Sequence, residues 1–138
     1  MTKIAIVAGA FHRKLVEEML EEAKRACKET GLQISEIVWV PGSLEKPLAL
    51  KIILSEKNVD GAVVLGIIEK GQTKHGRVMG EAVMKSIIEL QLEYMKPIGV
   101  GILGPEIEKP QIEKRLLPYA RGAVLAVKAM IDFQNGRK

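Results

Sequence analysis

Short unbroken apolar runs alternate along this chain with longer stretches whose apolar residues recur every three or four positions. The first run, residues 3–8, predicts a buried strand closed by Gly9. Residues 13–29 carry Leu15, Val16, Met19, Leu20, Ala23, Ala26 and Cys27 on one stripe, which predicts a helix. Thr30-Gly31 ends it, with glycine where a left-handed cap residue is wanted. Residues 34–40 predict a second strand, stopped by Pro41-Gly42. Ser43 suits the N-cap of a short helix over 45–56, with Pro47 tolerated in its first turn. Val59 to Ile68 is continuously apolar, as a central parallel strand requires. A helix over 73–94 follows, with Val78, Ala82, Val83, Ile87, Leu90 and Tyr94 on one broad face and Lys96-Pro97 as its stop. Residues 98–103 predict a fourth strand, which Gly104-Pro105 is expected to break. Pro110 opens a last helical region, with an interruption expected at Pro118 and a final helix over 119–133.

Strands alternating with helices call for one parallel sheet, covered on both faces and joined by right-handed crossovers. No repeat, low-complexity stretch or linker divides the chain, so a single domain over 1–138 is expected. In such folds ligands sit beyond the carboxyl ends of the strands. Four loops gather there: Gly9 to His12, Pro41 to Glu45, Glu69 to His75, and Gly104-Pro105.

Composition narrows the class. Hydrophobic residues at 47% against 28% charged indicate a globular domain with a real core, not a disordered chain. A formal net charge of +4, spread along the chain without a basic block, argues against nucleic acid as a partner. The single cysteine, Cys27, lies on a helical apolar stripe and reads as core filler, not as a nucleophile. No apolar run has the length of a secretory or membrane-spanning segment, so an intracellular, cytoplasmic protein is expected. His12 and His75 lack companion ligands at metal-binding spacing, so no metal site is expected.

The candidate chemistry lies between Gly66 and His75. A strand there ends in a glycine-bearing loop, with Thr73 and His75 at the start of a long helix. A helix N-terminus presents unpaired N–H groups and a positive dipole end to an anion such as phosphate. Gly71 lets backbone approach that anion, Thr73 adds a hydroxyl, and His75 moves protons near neutral pH. An ordinary capped helix with an exposed histidine is the alternative. The convergence of all four loops on one sheet edge favours a site for a small phosphorylated metabolite.

These loops, in this order, resemble the 6,7-dimethyl-8-ribityllumazine synthase family. The matching residues are Ala5-Ile6-Val7-Ala8 with Phe11, Val40 to Pro47, Val59 to Val63 with Gly66, Gly71 to His75, Lys96-Pro97-Ile98, and Arg115 with the helix near Arg121. The resemblance implies an α/β, single-domain, three-layer α/β/α fold with a flavodoxin-like four-stranded parallel sheet. It also implies condensation of 5-amino-6-(D-ribitylamino)uracil with 3,4-dihydroxy-2-butanone 4-phosphate, without a cofactor. Phe11 would stack on the pyrimidine, while Ser43 and Glu45 would bind ribityl hydroxyls. His12, Leu44, Ile67, Ile68 and Val100 would complete the substrate-binding wall, with Arg121 as a loosely assigned ligand-facing cation. Gly71, Gln72, Thr73 and Arg115 would hold the phosphate, and His75 would transfer protons. The resemblance further implies a homopentamer, alone or in a 60-subunit shell, with Arg115 supplied by a neighbour.

Several positions depart from the family pattern. His12 replaces an asparagine, Leu44 and Val100 replace frequent aromatics, and Lys46 and Glu69 stand where the family is apolar. An opposite-charge pair between Lys46 and Glu69 is one expectation; both side chains pointing to solvent is the other. Three further readings stay open. One is the related archaeal-type riboflavin synthase, which has no use for a phosphate site. Another is a non-catalytic shell or binder of flavin-like or phosphorylated ligands. The third is a generic nucleotide-binding domain, although no Gly-x-Gly-x-x-Gly follows the first strand.

Overall fold

The computed structural model describes residues 1–138. Its elements run β1 (Lys3–Gly9), α1 (Arg13–Thr30), β2 (Gln33–Val40), a 3-10 turn (Ser43–Glu45), α2 (Lys46–Leu54), β3 (Gly61–Glu69), α3 (His75–Tyr94), β4 (Ile98–Ile107) and α4 (Lys109–Asn135). All four strands are parallel, in the order β2-β1-β3-β4. The predicted three-layer, flavodoxin-like arrangement is therefore the observed one. The alternating side chains of β1 and β3 are buried on both faces. Ile4, Ile6, Val63 and Leu65 meet α1 and α4, whereas Ala5, Val7, Val64 and Ile68 meet α2 and α3. Cys27 is buried in the first of these layers, and burial pushes its thiol up to about 11, which suits core filler.

Two expected breaks are absent. β4 continues past Gly104-Pro105 to Ile107, which pairs with Glu69 of β3. Gly104 makes this bend possible: its φ is 98°, and a Cβ there would overlap the carbonyl oxygen of Ile68. α4 likewise runs unbroken through Pro118. Leu116 and Ala120, on either side of that proline, are both buried in the α1/α4 layer, so packing holds the helix where local propensity would interrupt it. On α3, Val83, Ile87 and Leu90 face the core as predicted, but Val78 and Ala82 do not. Val78, Ile88 and Leu92 instead leave an exposed apolar surface on that helix. No helix is long and apolar enough to cross a membrane.

Candidate functional site

The order β2-β1-β3-β4 puts the switch point between β1 and β3, where the order of successive strands reverses across the sheet. A cavity of about 350 Å³ opens at the carboxyl edge beside it. Phe11, Ser43, Ile67, Ile68, Gly71, Thr73 and His75, all anticipated from sequence, line it. A larger hollow of about 720 Å³ lies at the opposite edge, bounded by both chain termini. It gathers neither glycine loop nor histidine, so the smaller cavity is the candidate site.

Each wall has a local cause. Phe11 stands just after β1, 64% exposed, so its ring face is available to a flat ligand. His12 follows with a left-handed φ of 58° as the N-cap of α1, a conformation histidine adopts more readily than most residues with a side chain. Its ring meets that of Phe11 edge-on, with centroids 4.6 Å apart. Its Nε2 lies 2.9 Å from Glu69 Oε1, a close polar contact whose angles fall outside hydrogen-bond geometry.

The phosphate-type loop is anchored at its base. Lys70 N–H donates to the Ile107 carbonyl at 2.8 Å, so the unforeseen extension of β4 fixes where Gly71 to Thr73 begin. The His75 N–H donates to Thr73 Oγ1 at 3.3 Å, and no side chain caps the terminus from outside. Thr73 takes up that one N–H, and the next N–H groups of the 20-residue helix have no side-chain cap, as an anion site would require.

Other predicted positions lie elsewhere. Glu45, Leu44 and Gln72 sit on the same loops but are exposed and outside the cavity wall. Val100 packs with the α2/α3 layer. Arg115 is exposed on α4, where its Nη1 donates to the Gln111 carbonyl at 3.1 Å. Arg121 does not face the site: it is ion-paired with Glu29 and Glu22 of α1, and Glu29 foremost holds its pKa above the ordinary value. The expected Lys46–Glu69 pair does not form, and neither side chain simply points to solvent. Glu69 is claimed by His12, while Lys46 is 1% exposed and donates from Nζ to Ser43 Oγ at 3.2 Å. Met79 also lines the cavity and was missed. It follows His75 by one helical turn, a spacing that would have revealed it.

Fold and cavity together define a doubly wound α/β domain in which a helix N-terminus, a histidine and a phenylalanine line one cavity at the carboxyl edge of the sheet. The family model for 6,7-dimethyl-8-ribityllumazine synthase matches residues 1–135. Relatives bearing that name include one from Staphylothermus marinus, 37% identical over 96% of this chain and 88% of its own length. One from Picrophilus torridus is 36% identical over 95% of this chain and 96% of its own, and one from Methanopyrus kandleri 35% over 94% and 91%. The chain belongs to the 6,7-dimethyl-8-ribityllumazine synthase family.

Proposed function

We propose that this protein condenses 5-amino-6-(D-ribitylamino)uracil with 3,4-dihydroxy-2-butanone 4-phosphate, releasing phosphate and two waters to give 6,7-dimethyl-8-ribityllumazine. The observation that carries this reading is one cavity shared by Phe11, Ser43, Gly71, Thr73 and His75 in a chain of this family. Phe11 stacks on the pyrimidinedione and Ser43 binds the ribityl chain. The open N-terminus of α3, with Gly71 and Thr73, holds the phosphate, to which Gln72, its side chain outside the cavity wall, contributes only through backbone N–H. The 5-amine attacks the ketone and water leaves as an imine forms; phosphate is eliminated, and the ring closes with loss of a second water. His75 relays protons between the amine and the departing groups. Holding two substrates side by side supplies much of the acceleration.

No cation lines the cavity of a single chain, and the phosphate carries more charge than a helix dipole balances. The family resemblance gives the missing cation as Arg115, exposed on α4 and offered to the cavity of a neighbouring subunit. The exposed Leu48, Ile52, Val78, Ile88, Leu92 and Leu125 support packing of such neighbours, as a pentamer or a shell of pentamers in the cytoplasm. The test is to mix both substrates with purified protein and follow the lumazine chromophore above the uncatalysed rate. Acceleration that falls when Thr73 or Arg115 is replaced supports the synthase. A second reading, a flavin-like ligand held without turnover, is favoured by Glu69, whose carboxylate makes the cavity rim more polar than the family pattern. Tight riboflavin binding with no acceleration would select it.

A further inference from the structure

Lys46 is among the largest fully buried side chains in the protein, and its position is built into the sheet. Ala8 of β1 pairs with Leu65 of β3, so Gly9 and Gly66 stand next to each other one residue further on. By strand alternation both follow Val7 and Val64 on the face covered by α2 and α3. With no side chains there, the central strands leave a slot at the switch point. The end of Lys46 fills it. A Cβ on Gly66 would collide with Nζ, and one on Gly9 would lie 3.1 Å from Cε and 3.2 Å from Nζ.

Little in this slot favours a cation. Lys46 opens α2, at the positive end of that helix dipole. No carboxylate stands within ion-pair distance, Glu45 acting only from further off. One hydrogen bond serves a group with three donors: Nζ to Ser43 Oγ. An ammonium never accepts, so Ser43 Oγ must accept from it, and the hydroxyl hydrogen of Ser43 is left free to point elsewhere. Ser43 lines the cavity while remaining 8% exposed. Its hydroxyl hydrogen is therefore free to turn to a ligand in the cavity.

We propose that Lys46 is a positioning residue that fixes Ser43 as a hydrogen-bond donor, so that the site selects a ligand oxygen able to accept there. For the identity of that oxygen, a ribityl hydroxyl of the aminouracil, the inference rests on the function proposed above. It explains why a buried cation is kept where an apolar side chain would fit.

The experiment compares wild type, Lys46→Met, Ser43→Ala and the double variant. Binding of ribitylaminouracil alone is measured by calorimetry, followed by steady-state kinetics and thermal midpoints. Lys46→Met should weaken ribitylaminouracil about tenfold in both Kd and KM, the loss of one charge-assisted hydrogen-bond arrangement. KM for butanone phosphate and kcat at saturation should stay within about twofold, since the effect is confined to binding of one substrate. The thermal midpoint should be no lower than that of wild type, so that the loss of affinity is not a loss of fold. In the Ser43→Ala background Lys46→Met should have no further effect on affinity. Gly66→Ala, which forces the amine from its slot, should reproduce the affinity loss and serves if Lys46→Met does not fold. Unchanged affinity, an effect that persists without Ser43, or wild type that binds no ribitylaminouracil would each overturn the proposal. Wild type that binds ribitylaminouracil but shows no turnover would overturn the synthase reading and leave this inference standing.

Discussion

Replacing Lys46 with methionine tests how this molecule tolerates a buried cation. Burial pulls the Lys46 ammonium down from its ordinary 10.5 to about 8, with Glu45 opposing the shift. At about 1.4 kcal/mol per tenfold change in proton affinity, holding the charged form costs the fold about 3 kcal/mol. Because the folded value lies below the unfolded one, the unfolded chain binds the extra proton between about pH 8 and 10.5. The cost is fully present below that window and is relieved as pH rises through it. Methionine has similar length and no charge, so Lys46→Met should be more stable than wild type by about 2 kcal/mol near pH 7. Raising the pH to about 9.5 should remove about 2 kcal/mol of that advantage, since most of the wild-type penalty is then gone. Urea unfolding of both proteins at one protein concentration measures the difference, and titration of the other lysines cancels. A difference that stays constant between the two pH values would refute the reasoning. So would a variant less stable than wild type at neutral pH.

Other expectations follow from the same geometry. His75→Ala should lower kcat by about a hundredfold or less, because substrate proximity persists; unchanged turnover in stopped-flow absorbance would remove His75 from the chemistry. Arg115→Ala should raise KM for the butanone phosphate about tenfold or more. Co-assembling it with a Thr73→Ala chain should restore part of the activity, because some shared cavities then contain neither substitution; no recovery in mixed oligomers would place Arg115 in its own chain's site. Gly104→Ala should destabilise the protein by about 2 kcal/mol or more in thermal unfolding, since its left-handed φ and the Ile68 carbonyl both reject a side chain. Glu69→Gln should shift stability by less than about 1 kcal/mol, as its pair with His12 is partly solvated. A larger loss on denaturation would show that this contact holds the loop together.

Element order, the doubly buried β1 and β3, and the Gly71-Gln72-Thr73-Lys74-His75 loop were legible because each rests on local periodicity or turn chemistry. Those signals also grouped Phe11, Ser43 and His75 at one edge, since parallel strands send all their carboxyl-end loops the same way. Contacts between distant segments were not legible. The pairing of Glu69 with Ile107 carries β4 through Gly104-Pro105, and burial of Leu116 and Ala120 carries α4 through Pro118, so long-range packing overrides two local breakers. Partner choice among charges was decided in the same way: Arg121 meets α1, His12 meets Glu69, and Lys46 enters a slot made by two glycines. A sequence shows that a charge exists, but its partner depends on which backbone leaves room for it. The apolar face of α3 divides for a related reason, Val83 turning inward and Val78 outward. Hydrophobic period alone does not separate a surface meant for the core from one left for another subunit.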